Sequence, residues 1–353
     1  MPKLQYAPEG FGRYFGSALL FPSEIVFSWE ELCRCAITVG RRSWADVLKF
    51  GTYSVLEALW RVAMVRANLV ENSDGHLRQS NAFRALDPSE KAAVSYFLGL
   101  VLTKLIAEKV FRVPWLLHLD VYQQQVAPDF AFPDRPDFVG MDAWYLWTVF
   151  ESKGRTRGVP SRVLNRAKRQ VRSVRRISGQ YPALRVAVGT YFGAAALRAR
   201  IRDPDTPNPD GADLELNPED LARAYYRPVV EMVQASGAAL VDRAGVVALP
   251  GLDARLALDD RILRWYLDGE PRWEVVIEDR RRRGSILRDI VALRGLAEED
   301  QASKNKEDGR HWDEIWAHQL TEIRPTGDDG VTVELGPSWG EEYMRQEPEH
   351  RAG

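Results

Sequence analysis

The sequence predicts an α/β fold: a small mixed sheet flanked by helices, joined to a helical N-terminal region and an α+β C-terminal region. Three observations carry this expectation. A long apolar helix pattern precedes three strand-like runs, a basic amphipathic helix pattern follows them, and a fourth strand pattern comes next. Helix, strand, strand, strand, helix, strand over residues 87–192 is the alternation that a layered unit around one sheet requires. The 353 residues suffice for such a core with additions. Boundaries read as 1–86, 87–202 and 203–353.

Residues 1–42 show no clear period. Ser43-Trp44-Ala45-Asp46 resembles a capping box, and Leu48, Val55, Leu56, Leu59 and Val62 fall at helical spacing, so a helix is expected from Ser43 to about Asn68. Glu71 to Ser80 is polar around Asp74-Gly75 and reads as a loop. Asp87-Pro88-Ser89-Glu90 is a helix start, with Asp as the cap and Pro in the first turn. That helix should run to about Phe111, apolar nearly all round and therefore buried. Trp115 to Val121 reads as a strand, and Pro128, Pro133 and Pro136 mark an irregular connection. Trp144 to Phe150 is a strand, rich in aromatic and β-branched residues. Gly154 to Pro160 turns the chain, Ser161 to Ile177 is a basic amphipathic helix, and Ala183 to Phe192 is another strand. Asp203 to Asp213 reads as a linker or exposed loop, Asn217 to Gln234 and Ser285 to Leu296 as helices. Glu298 to Gly309 and the acidic tail after Glu341 read as polar, disordered stretches.

Composition excludes several classes. The uncharged run Ala92 to Thr103 is too short to span a bilayer, which takes roughly 20 residues, so no membrane partner is expected. No apolar run follows a basic start at the N-terminus, so a cytoplasmic location is expected. Cys33 and Cys35 are the only cysteines. At i and i+2 they make neither a disulfide staple nor a zinc site, and read as two buried thiols.

The net charge of −2 hides an asymmetry. From Glu151 to Arg202 there are 14 Lys and Arg and one acid, so this segment carries +13, while the remainder, with 34 basic and 49 acidic residues, carries −15. Such a block points to a polyanionic partner.

The chemistry is concentrated in Arg135-Pro136-Asp137-Phe138-Val139 and Val149-Phe150-Glu151-Ser152-Lys153-Gly154. Side chains alternate along a strand, so Glu151 and Lys153 share a face and Ser152 lies opposite. Charges at the end of an apolar strand are costly unless they pair or hold an ion. Asp137 supplies a second carboxylate. Two carboxylates and a carbonyl suit Mg²⁺, and a lysine beside them can position water and offset charge on a phosphate. A surface Glu–Lys pair at a strand end would satisfy the same pattern.

This arrangement resembles the PD-(D/E)xK nuclease superfamily over residues 87–192. The resemblance implies a restriction-endonuclease-like core, with Asp137 and Glu151 as ligands of Mg²⁺ or Mn²⁺ and Lys153 assisting the attacking water. The Ser152 carbonyl is a further ligand. It also implies a role for Gln170, since many members carry a helix Gln near the metal. Pro128-Asp129 and Pro133-Asp134 are rivals for the first carboxylate; Asp137 is preferred because Phe138-Val139 continues as strand. Val163, Ala167, Gln170, Val174 and Ile177 fall at the spacing of a buried stripe, with Gln170 either buried among them or reaching solvent at the edge. Arg162, Arg166, Arg169, Arg172 and Arg176 crowd other faces and could neutralise a nucleic-acid backbone. A merely solvated basic face is the alternative. Some relatives carry a Glu four residues after a helix Gly. Here Gly99 is followed at that distance by Thr103, with Glu108 one turn on, so a second metal is not implied.

The expected function is therefore a cytoplasmic nuclease on nucleic acid, DNA ahead of RNA by resemblance, of the kind that serves bacterial defence against foreign DNA. The rivals are an inactive nucleic-acid-binding module and a structural subunit whose N- or C-terminal region meets a protein partner or a second copy. Other residues point to structure. His311 and His318 flank Trp312 and Trp316 on a helix face without a ligand set to complete zinc. His118 reads as a core histidine. Arg280 to Arg283 reads as a solvated turn, with backbone contact as the alternative. Phosphate-binding and nucleophile-elbow motifs are absent from the sequence.

Overall fold

The computed structural model describes all residues except 12–15, 40–52, 120–134, 195, 204–207, 237–239, 242–243, 250, 295–310, 325 and 341–353. In chain order the elements are β1 (Lys3–Glu9), β2 (Ser23–Val26), α1 (Trp29–Thr38), α2 (Tyr53–Asn68), β3 (Leu69–Glu71), β4 (Leu77–Gln79), α3 (Asn81–Ala85) and α4 (Pro88–Phe111). There follow β5 (Trp115–His118), β6 (Phe138–Met141), β7 (Trp147–Arg155), α5 (Ser161–Arg172), β8 (Val174–Ile177), β9 (Leu184–Phe192) and β10 (Leu197–Arg202). The C-terminal region adds β11 (Ala212–Leu214), α6 (Pro218–Ala235), β12 (Leu240–Val241), β13 (Ala244–Leu249), β14 (Ala254–Asp259) and α7 (Asp260–Asp268). It ends with α8 (Trp273–Val276), α9 (Glu278–Arg281), α10 (Ile286–Arg294), a helix over 311–319 and β15 (Val331–Leu335).

The architecture is α/β around a seven-stranded mixed sheet in the order β2-β1-β10-β9-β7-β6-β5. β7 runs parallel to β9 and β1 parallel to β10; the other neighbours are antiparallel. The helices and strands expected over 87–192 appear as α4, β5, β6, β7, α5 and β9, with one unexpected strand, β8, between α5 and β9. The sheet is wider than that span, because residues 3–26, in the region expected to be helical, supply its last two strands on one side. In β1 Leu4 and Tyr6 turn inward and their neighbours do not, the alternation of a half-buried strand.

Helices cover both faces of the parallel pair, α4 on one and α5 on the other. Asp87 caps α4 by accepting from the Ser89 and Glu90 amides while Glu90 reaches back to the Asp87 amide, and Pro88 occupies the first turn. From Leu98 onward nearly every residue of α4 is buried, as its all-round apolar pattern requires. It meets β7 through two glycines. A Cβ on Gly154 would overlap the Ser95 carbonyl, and one on Gly99 would overlap Gly154, so backbones touch where side chains would hold them apart.

Several boundaries differ from expectation. β7 begins at Trp147 and continues through Arg155, because its carboxyl half pairs with β9 in register from Thr148↔Leu184 to Arg155↔Tyr191. α5 ends at Arg172; Val174–Ile177 leave as β8 and pair with β11, so the helical run to Ile177 is not formed. The Ser173 hydroxyl donates back to the Gln170 carbonyl at that break, and the β-branched ends of Val174–Ile177 suit a strand. Glu71 to Ser80 is not a plain loop but the hairpin β3–β4, closed by Asn72, whose side chain accepts from the Asp74 and His76 amides. On α2, Val62 is buried and Leu56 exposed, so the expected stripe is only partly the inward one; Leu48 lies outside the described residues. The polar stretches Glu298–Gly309 and 341–353 also lie outside them.

The C-terminal region packs a second sheet, β12-β13-β14-β15, against α1 and α6. It is tied to the first by ions. Arg34 of α1 pairs with Glu108 of α4 at 2.7 Å and with Asp329 at 3.4 Å, and Lys104 pairs with Glu108 at 2.6 Å, all in the interior. Burial opposes ionisation of Glu108, but Arg34 and Lys104 outweigh it and hold its carboxyl down at about 2. Cys33 and Cys35 are buried free thiols on α1. Trp312 and Trp316 stack inward while His311 and His318 stay exposed, and His118 packs edge-on against Phe138. Arg280 and Arg281 of α9 donate to the carbonyls of Asp328, Val276 and Ala143, and Arg282 and Arg283 meet acids, so this run binds the protein to itself.

Candidate active site

β6 and β7 carry the candidate residues to one place. Their antiparallel register pairs Phe138 with Phe150, so Asp137 stands across from Glu151 one position further out. There the side chains take over from the ladder. The Asp137 amide donates to Glu151 Oε2 at 2.7 Å, and the Ser152 amide donates to Asp137 Oδ2 at 2.9 Å. Lys153 Nζ forms an ion pair with Glu151 Oε1. Glu151 and Lys153 therefore share a face, as strand alternation requires.

Pro136 explains why the ladder stops. It is the next residue across from Ser152 and has no N–H to give. The Ser152 amide points toward Asp137, and a strand residue turns its N–H and C=O to the same side. The Ser152 carbonyl thus turns to the same edge of β7 as its amide, where Pro136 cannot supply it with a donor. Its hydroxyl lies on the other face, toward Gly99 of α4.

The electrostatics are unusual for a carboxylate. Glu151 is fully buried and Lys153 is 27% exposed. Burial, and then the neighbouring Asp137 charge, push the Glu151 carboxyl up to about 8, against the pull of Lys153 and the Asp137 amide. With both carboxylates charged, one ammonium would not balance them, so a second cation would favour the ionised form of Glu151 over the protonated one.

The donor set fits a divalent metal in kind: two carboxylates and a backbone carbonyl are hard oxygens, suited to Mg²⁺ or Mn²⁺. Among the described residues no group of three or more His, Cys, Asp or Glu side chains is assembled as a metal cage, so water would complete the shell, as Mg²⁺ prefers. Gln170 supplies a second sign of a polar site. Its Nε2 donates to the Arg135 carbonyl at 3.0 Å, tying α5 to the segment that carries Asp137. Its Oε1 is buried and finds no hydrogen-bond partner among the described residues.

The inward stripe of α5 is Leu164, Ala167 and Val171 rather than Val163, Ala167 and Gln170, and Val163 and Gln170 sit half-buried at its edge. Val174 and Ile177 belong to β8, so they continue the core but not the helix. Arg162, Arg166 and Arg169, at i, i+4 and i+7, form one exposed stripe opposite the apolar face. Arg172 is half-buried on the flank. Arg176 is not a helix residue: it lies on β8 and stacks over Tyr181, 4.8 Å from the ring centroid. Other members of the basic block are held internally, Arg175 by Asp213 and both Arg200 and Arg202 by Glu9.

Thr103, four residues past Gly99, donates to the Gly99 carbonyl, and Glu108 is engaged in the interior ion cluster, so α4 brings no third carboxylate. The rival carboxylates Asp129 and Asp134 lie outside the described residues. Arg155 continues the alternation that starts at Glu151 and Lys153, and Arg157 follows just past the end of β7. No family model, curated protein or solved structure matches the chain.

Proposed function

We propose that this chain is a metal-dependent nuclease of the PD-(D/E)xK type, with Asp137, Glu151 and Lys153 as its centre and a restriction-endonuclease-like core built from α4, β5, β6, β7, α5 and β9. One observation carries the reading: two sequence-distant carboxylates meet at a strand end, cross-linked through each other's backbone amides, with a lysine on the same face. Asp137, Glu151 and the Ser152 carbonyl would hold Mg²⁺ or Mn²⁺. When bound, the metal supplies Lewis acidity toward a phosphate and lowers the pKa of a water.

The chain's own residues do the rest. Lys153 offsets charge that builds on the phosphoryl oxygens and orients the attacking water. Glu151, whose carboxyl lies near 8 in the metal-free protein, would give up its proton on taking the metal, so metal affinity should rise with pH. Gln170 fixes the Arg135–Asp137 segment against α5. Arg162, Arg166 and Arg169 offer a backbone-neutralising stripe. The preference for DNA and the defence role come from the resemblance alone.

The test is incubation of the purified protein with linear, circular and single-stranded DNA and with RNA, in Mg²⁺, Mn²⁺ or EDTA. Cleavage that needs metal and disappears in Asp137→Asn and Glu151→Gln is expected. A parent protein that cuts none of these polymers with either metal overturns the reading, and nucleic-acid binding without cutting would favour an inactive binding module.

A further inference from the structure

The carboxyl ends of the parallel strands β7 and β9 open onto a cleft beyond the Glu151 site. It consists of two cavities of about 450 and 390 Å³ that share Lys91, Thr156 and Arg157 in their walls. Arg155 lines the first and Arg84 the second, and no acid lines either among the described residues. Arg84, Arg155 and Arg157 are exposed and Lys91 is half-buried. Arg84 reaches the Asn81 amide oxygen at 3.4 Å. Asp87 and Glu90 stand near Lys91, but their carboxylates are turned to the backbone amides at the start of α4.

Four cations around one concave surface repel one another, and a polyanion in the cleft would relieve that repulsion. Elsewhere in the basic block the protein supplies its own acids, Asp213 and Glu9. Here, among the described residues, no acid lines the walls, and Asp87, which feels the Lys91 charge, spends its carboxylate on the start of α4. The location fits as well, since ligands of open α/β sheets bind outside the carboxyl ends of the strands. Arg155 joins the cleft to the candidate centre. It shares a face of β7 with Glu151 and Lys153, roughly 13 Å of strand from Glu151, while Gly154 and Thr156 turn the cleft toward α4 on the opposite face.

We propose that this cleft is a second backbone-binding site, gripping the phosphodiester chain to one side of the Glu151–Lys153 centre with Arg155, Arg157, Lys91 and Arg84. The choice of a nucleic-acid strand rests on the nuclease reading; the cleft's affinity for it does not depend on cutting.

The test is equilibrium binding of a labelled single-stranded oligonucleotide to the full chain in EDTA, over a range of salt. The variants are Arg84→Ala/Arg157→Ala, the charge-keeping Arg84→Lys/Arg157→Lys, and a control, Arg255→Ala/Arg264→Ala, at two exposed arginines of the C-terminal region. Losing two phosphate contacts should flatten the log–log salt slope by about 1.4, with the lysine pair restoring it, the control unchanged and the melting temperature of all three near the parent's. An alanine pair whose slope and affinity equal the control's overturns the assignment, as does a parent that does not bind the oligonucleotide. The two readings fail separately: binding with a cleft-dependent slope but no metal-dependent cleavage removes the nuclease and keeps the cleft, while cleavage with an unchanged slope removes the cleft alone.

Discussion

Glu151→Gln should make the metal-free protein more stable, and only toward alkaline pH. In the folded protein burial and Asp137 push this carboxyl from 4.5 up to about 8. Below about pH 4.5 the folded and unfolded chains are both protonated here and the position costs nothing. As pH rises from there to about 8, the unfolded chain releases a proton that the folded protein keeps, so stability is lost across that window and the loss is complete above it. The difference corresponds to about 5 kcal/mol. Gln keeps an oxygen for the Asp137 amide, and the pull of Lys153 on the charged carboxylate is already contained in the value of about 8. A gain of a few kcal/mol should therefore appear at about pH 8.5 and vanish at about pH 5. The assay is urea denaturation of parent and variant in EDTA across this range, repeated with Mn²⁺. Ligation favours the charged carboxylate, so Mn²⁺ should stabilise the parent more as pH rises and leave the variant little changed. A variant that is destabilised equally at every pH would refute the argument that Glu151 is a costly buried charge.

Lys153→Ala should lower single-turnover cleavage by about 10²–10³ while binding of nucleic acid in EDTA and the melting temperature stay near the parent's; parental cutting would remove its assigned role. Arg162→Ala/Arg166→Ala/Arg169→Ala should flatten the salt slope of duplex DNA binding by up to about 0.9 per lost phosphate contact, and an unchanged slope would show that this outward stripe is merely solvated. Glu108→Ala should destabilise the fold by about 3–5 kcal/mol because Arg34 and Lys104 are left buried without it. Since its carboxyl is held at about 2, the stability it contributes is present above about pH 4.5 and drains away as pH falls toward 2, which acid titration of parent and variant will read. Gly154→Ala should cost about 1–3 kcal/mol by forcing α4 away from β7, measured by denaturant midpoint.

The sequence by itself determined what depends on near neighbours. The start of α4 follows from Asp87, Pro88 and Glu90, the cap of α6 from Asn217, and the shared face of Glu151 and Lys153 from strand alternation, because each is set within a few residues. Even the pairing of Asp137 with Glu151 was legible, since successive antiparallel strands are the simplest way for β6 to meet β7. What required the tertiary structure depends on partners far along the chain. The first strands of the sheet come from residues 3–26 and dock beside β10, about which residues 1–42 are silent when read alone. α5 stops at Arg172 although the helical spacing continues, because β11, nearly forty residues away, offers Val174–Ile177 a strand partner and local propensity yields to it. The charge block was countable in advance, but which arginines meet Asp213 or Glu9, and which are left around the cleft beside Lys91 and Arg84, was decided only when the sheet brought distant segments to the same edge.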